Sequence, residues 1–171
     1  MNWCFYEDID FSDCYNELYN IGINHINYYP YKTTNKTIES NPNYSTNVLT
    51  DMYIFTEKDG VLDIPIVKKI IERLPFRPNT ASFIKLFPNV VMPIHIDDPK
   101  LRASHLIFPI YPLDLNFTTT KFYNKKNEII DEAKFNIDPV LINTQCRHGL
   151  INNLFTRIQF NLGFSENIYD W

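Results

Sequence analysis

The chain has 171 residues, of which 44% are hydrophobic and 21% charged, the make-up of one folded soluble domain with a sizeable core. Its net charge of −4 at pH 7 and pI near 5.5 argue against a general binder of nucleic acid or of anionic membranes, which need positive potential. No stretch reaches the ~18 apolar residues of a helical membrane span.

The first residues, Met1-Asn-Trp-Cys-Phe-Tyr-Glu-Asp, hold neither a basic n-region nor an apolar h-region, so no signal peptide is expected. The sequons at Asn35, Asn43 and Asn116 then read as chance matches. Cys4, Cys14 and Cys146 are too few for a disulfide framework and fit a reducing, cytoplasmic setting. Asn, Ile, Lys and Tyr are abundant while Ala occurs only at 81, 103 and 133. That usage points to an AT-rich coding genome, as in a virus, whose setting would be the host cytoplasm, or a streamlined microbe. Residues 7–20 predict a helix carried by Ile9, Tyr15, Leu18 and Tyr19, and residues 21–50 predict loop with short extended pieces. Asp51–Thr56 predicts a strand. Asp63 is a cap residue close to Pro65, a first-turn proline, and Ile66, Ile70, Ile71 and Leu74 follow at helical spacing. A helix over 64–74 results, stopped by Pro75 and Pro78.

From Ala81 onward short β-rich segments follow one another between Pro, Asn and Asp. Strands are predicted near 81–87, 90–97, 103–111, 116–123, 133–137, 139–144 and 155–163. Seven or eight short strands after a helix give a mainly β fold with flanking helices, a double-stranded β-helix or cupin-like jelly roll. A single domain over 1–171 is expected, with 79–165 as the jelly-roll core. Residues 1–78 supply helical and loop support and a candidate lid. An immunoglobulin-like sandwich would want a Cys…Trp…Cys spacing that is absent.

The chemistry concentrates in His95-Ile96-Asp97, in His148 and in Arg157. A strand carrying H-x-D points both side chains to one face, because side chains alternate with period two. Two imidazoles and one carboxylate on one side of a metal leave the other side open, a facial arrangement suited to non-haem Fe(II) and oxygen. No G-x-G-x-x-G, G-x-x-x-x-G-K-[ST], H-E-x-x-H, C-x-x-C or G-x-S-x-G occurs.

Phe83-Ile-Lys-Leu-Phe-Pro-Asn-Val-Val-Met-Pro-Ile-His-Ile-Asp97 and Arg147-His-Gly-Leu-Ile-Asn-Asn-Leu-Phe-Thr-Arg157 resemble the Fe(II)/2-oxoglutarate oxygenases. The nearest branch is the aspartyl/asparaginyl β-hydroxylase-like group with its small viral and bacterial relatives. The resemblance covers about half the chain, residues 80–165. It implies Fe(II), 2-oxoglutarate and O2, with His95, Asp97 and His148 as metal ligands. It implies Arg157 on the far carboxylate of 2-oxoglutarate, and hydroxylation of a C–H bond in a peptide side chain, amino acid or small metabolite. The chain departs from the family at four places. The turn glycine is Asn89, and Asp97 is present where the best-known β-hydroxylases lack the carboxylate. A family serine falls at Ile84, and a family arginine at Ser104. These departures argue against carrying over that subgroup's substrate.

Arg157, Gln159 and Asn161 share one face of the last strand; Ile158, Phe160 and Leu162 share the other. A solvated polar face is the ordinary expectation, but this one begins at the motif arginine and is assigned to the jelly-roll interior. Ser82 and Ser104 are candidate hydroxyl donors to the co-substrate, and Arg102 is a candidate for an acidic substrate group. Asn152 is a candidate support beside the metal. Asp98 would face away from Asp97 and reads as a turn residue. His25 and His105 read as structural, and Cys146 as a small apolar residue. Only one of the two sets, His105 or Ser104 with Leu106 and Phe108, can face the pocket. Two other functions stay open: a metal-dependent cupin enzyme that does not use 2-oxoglutarate, and a non-catalytic jelly-roll binding or virion protein.

Overall fold

The computed structural model describes residues 1–30, 52–88, 90–112, 120–134, 138–151 and 155–166. Expectations for Asn35, Asn43, Asn89, Asn116, Asn152, loop residues 31–50, Asp51 and strand residues 116–119 and 135–137 lie outside them.

The described elements are β1 (Trp3–Phe5), α1 (Ser12–Asn24), β2 (Tyr29–Pro30), β3 (Met52–Thr56), α2 (Pro65–Arg73) and β4 (Thr80–Leu86). They continue with β5 (Val91–His95), β6 (Ser104–Tyr111), β7 (Thr120–Tyr123), β8 (Ile129–Ala133), β9 (Val140–Asn143), β10 (His148–Ile151) and β11 (Arg157–Phe164). The larger sheet runs β1-β9-β6-β11-β4-β3-β2 and the smaller β5-β10-β7-β8. The pairings are antiparallel. This is the expected mainly β jelly roll with helices on its flank. Residues 1–78 contribute more than helix and loop, since β1, β2 and β3 join the larger sheet.

Alternation on β11 organises the whole molecule. Ile158, Phe160 and Leu162 turn outward and join Leu106, Phe108 and Ile110 of β6 and Phe83 of β4 under the helices. From α1 come Cys14 and Leu18; from α2 come Ile66, Val67 and Ile70. Each such side chain contributes about 1.5–3 kcal/mol by leaving water. Gly22 lets α1 approach closely, because a Cβ there would lie 3.3 Å from the Ile110 side chain and 3.4 Å from Ile158. The inner face of the larger sheet meets the smaller sheet through two apolar clusters. One holds Ile107, Val140 and Ile142 against Phe122 and Ala133. The other holds Met52 and Leu86 against Leu150.

Several boundaries differ from the sequence expectation. Helix α1 spans 12–24 rather than 7–20: Asp10 accepts a hydrogen bond from the Ser12 amide and turns the chain there. Ile9 and Phe11 reach the core before the helix begins. Asp63 does not cap α2; it ends a short 3-10 turn over Val61–Asp63, and Ile64 is the N-cap before Pro65. Strand β8 covers 129–133, earlier than the expected 133–137. The hairpin turn before it is closed by Asn124, whose side chain accepts from the Lys126 and Glu128 amides, and by Asn127 with φ 62°. Among the described residues no helix is long and apolar enough to cross a membrane.

Candidate metal centre

His95 ends β5 and His148 begins β10, and the two stand opposite each other across the smaller sheet. Their rings therefore share a face, with centroids 4.3 Å apart. Asp97 joins them from just beyond β5, so the parity of a continuous strand does not deliver it. Its amide donates to the Thr144 carbonyl at 3.2 Å, which pins the loop and turns the carboxylate inward. One ligand atom each from His95, Asp97 and His148 lies within 4.8 Å of the others. Two nitrogens and one carboxylate oxygen at that spacing form a donor set that fits a divalent first-row metal.

Protonation states favour such a role. The Nδ1–H of His148 donates to the Cys146 carbonyl at 2.9 Å, leaving Nε2 with its lone pair toward the site. Burial pushes His148 down to about 4, so the ring is neutral near pH 7. Burial alone would raise the Asp97 carboxyl, but the hydrogen bond from His95, the neighbouring His105 and the Arg102 cation outweigh it. The group is held well below the usual carboxylate range and is an anion.

The centre opens into a cavity of about 540 Å³ between the sheets. Ile84, Met92, Ile107, Ile142 and Leu150 make its apolar wall. Ser82, Gln159 and Asn161 make a polar strip on the larger sheet. Ser82 pairs in register with Asn161, and Gln159 donates to Asn161 at 2.8 Å. Arg157, on the same face of β11, is 5% exposed, which rules out a solvated polar face for this strand. Burial lowers its pKa to about 9, so it stays a cation at neutral pH. Arg102 lines the mouth, its side chain 42% exposed and Nη2 3.9 Å from Asp97 Oδ1.

Two expectations need correction and one needs refinement. Ser104 does not face the cavity: it is buried on the helix side of β6, and its hydroxyl donates to the Glu166 carbonyl at 2.9 Å. His105, taken as structural, is the residue of that pair that lines the cavity. The signal was in the sequence, because Ser104 has the parity of the bulky Leu106 and Phe108 and His105 does not. Asp98 is indeed a turn residue, accepting from the Lys100 amide at 3.0 Å, yet it also borders the cavity. Cys146 packs on the Phe122 cluster, and His25 lies at the end of α1, away from the centre.

No protein-family model matches the chain, and no curated protein matches its sequence. Solved structures do. The non-heme alpha ketoglutarate dependent epimerase SnoN from nogalamycin biosynthesis superposes with TM-score 0.64 at 8% identity, covering 94% of this chain and 76% of its own. A Pseudomonas putida prolyl-4-hydroxylase gives 0.61 at 9% identity, over 95% of this chain and 92% of its own. A Trichoplax adhaerens prolyl hydroxylase, in complex with a hypoxia inducible factor peptide fragment, gives 0.58 at 13% identity, over 95% and 83%. At such identities the likeness is one of fold, and the fold of this chain is the jelly roll of the Fe(II)/2-oxoglutarate oxygenases.

Proposed function

We propose that this protein is an Fe(II)- and 2-oxoglutarate-dependent oxygenase that hydroxylates a C–H bond of a peptide side chain, an amino acid or a small metabolite. The observation that carries this is the convergence of His95, Asp97 and His148 within 4.8 Å at the mouth of a cavity on the fold of such enzymes. Bound Fe(II), with 2-oxoglutarate and O2, supplies the oxidising power that an unactivated C–H bond requires.

The chain's own residues hold and shield that chemistry. His95, Asp97 and His148 hold the metal from one side and leave its other side to the cavity. Arg157 takes the far carboxylate of 2-oxoglutarate, since its planar fork makes two parallel hydrogen bonds to a carboxylate. Ser82, on the same inner face, offers a hydroxyl to the co-substrate. Ile84, Met92, Ile107, Ile142 and Leu150 exclude water from the reacting centre. Arg102 at the mouth binds an acidic group of the substrate. A peptide substrate has a precedent of fold in the Trichoplax adhaerens prolyl hydroxylase with its peptide fragment.

The test is anaerobic addition of 2-oxoglutarate to the Fe(II)-loaded protein, read by the visible charge-transfer band between metal and co-substrate. Wild type should show the band and make succinate in air. Arg157→Gln keeps hydrogen-bonding atoms but removes charge and fork. Loss of one partner of a buried charged pair costs about 3–5 kcal/mol, so co-substrate affinity should fall by at least about two orders of magnitude. Iron affinity should stay nearly unchanged. No band and no succinate from wild type would end the co-substrate assignment.

A further inference from the structure

His105 is a largely buried polar group of this cavity, its side chain 14% exposed, for which the proposed chemistry has no use. It sits on β6 two residues before Ile107, on the inner face, in register with Gly163 of β11. A Cβ at 163 would lie 2.8 Å from Arg102 Cγ and 3.2 Å from His105 Cδ2. The missing side chain at 163 is therefore the space that the imidazole and the Arg102 stem occupy. The ring is confined, and its Nε2 is buried with no hydrogen-bond partner among the described residues. An unsatisfied buried nitrogen is costly and calls for an explanation.

The explanation lies in the carboxylate beside it. His105 Nε2 is 3.7 Å from Asp97 Oδ2. The other oxygen, Oδ1, is 3.5 Å from His95 Nε2. The two oxygens of Asp97 thus face different histidines, one on each side. We propose that His105 is a positioning residue that donates a hydrogen bond from Nε2 to Asp97 Oδ2, so that Oδ1 alone is presented to the metal. The inference rests on the assignment of His95, Asp97 and His148 as metal ligands. Asp97 Oδ1 and His95 would both serve the ion, and the hydrogen bond proposed here would form across the present 3.7 Å between His105 Nε2 and Asp97 Oδ2. Carboxylates that ligate metals are commonly held in this way, and loss of such a support typically costs about 10–100-fold in metal affinity. The role needs the tautomer with hydrogen on Nε2.

The experiment uses Co(II) as the probe, titrated into the intact protein and read by its visible d–d absorption. His105→Leu removes the donor at similar volume, and His105→Gln places an amide N–H close to where Nε2 stood. The expected result is a 10–100-fold weaker Co(II) site in His105→Leu, with a changed d–d band shape as Asp97 becomes free to offer both oxygens. His105→Gln should bind within about threefold of wild type, with the native band shape. A merely structural histidine moves neither affinity nor band shape, and thermal melting of the metal-free variants checks that both are folded. Wild-type affinity and spectrum in His105→Leu overturn the proposal, as does His105→Gln as weak as His105→Leu. A loss as complete as that of His95→Ala also overturns it, since His105 would then be a ligand. If wild type binds no Co(II), the ligand assignment itself fails, which is a different result from wild type binding normally beside an unaffected His105→Leu.

Discussion

At the scale of single residues, the site depends as much on an absent side chain as on those present. Gly163 faces inward where Thr80, Arg102 and His105 crowd together, and a Cβ there would lie 2.4 Å from Thr80 Oγ1. Gly163→Ala should therefore destabilise the fold by about 1–3 kcal/mol, the usual cost of overpacking, measured by urea unfolding; unchanged stability would mean that the three neighbours yield freely. Residue identities in this site were legible in the sequence to different degrees. His95 and His148 stand out as candidate ligands because few other histidines compete, and Arg157 stands out as a candidate because it opens a polar strand face. Asp97 was found by an incomplete argument, since it converges through a loop bonded to Thr144 rather than through strand alternation. Parity alone leaves Ser104 and His105 as alternatives, because it does not say which face of β6 the helices cover. Bulk answers that: Leu106 and Phe108 mark the helix side, as Ile158 and Phe160 do on β11.

Between elements, the helices are joined by charge at their exposed edge. Lys69 and Arg73, one turn apart on α2, both reach Asp13 on α1, each at 2.7 Å. Arg73 also donates to the Asp10 carbonyl and stacks over Phe11, 4.9 Å from the ring centroid. Hydrogen bonds from Lys69 and then Arg73 hold the Asp13 carboxyl well below its ordinary 3.8. A carboxyl whose folded pKa is depressed contributes stability that is complete above the unfolded value and fades as pH falls toward the folded one. Asp13→Asn should thus melt at a slightly lower temperature than wild type at pH 7, exposed pairs being weak. The gap should shrink progressively once pH drops below about 4. A gap constant from pH 7 to pH 2 would show that charge is not its origin. The α2 helix was legible because proline, apolar period and flanking prolines agree. Strands β1 and β10 were not, because three- or four-residue strands carry too little alternation to register. Their positions are set by partners distant in sequence, β9 for β1 and β5 with β7 for β10.

Across the whole molecule, the proposed metal and co-substrate would draw on both sheets. His95 and His148 belong to the smaller sheet and Arg157 to the larger, so a metal and a co-substrate bridging these residues would tie the sheets together. Anything that binds the folded state alone stabilises it, by about 2.7 kcal/mol at 100 times its Kd. For a chain of this length that corresponds to a rise in Tm of roughly 5–10 °C. Mn(II), which is redox-stable, should raise the Tm of wild type, and 2-oxoglutarate should add a second increment only when Mn(II) is present, because its near end needs the metal. His148→Ala should lose both increments, having too few donors left to hold the ion. Arg157→Gln should keep the first and lose most of the second. This pattern distinguishes a bridged site from a metal held within the smaller sheet alone, for which Arg157→Gln would behave as wild type. Equal increments in His148→Ala and wild type would place the metal elsewhere and remove the basis for assigning this cavity to oxygenase chemistry.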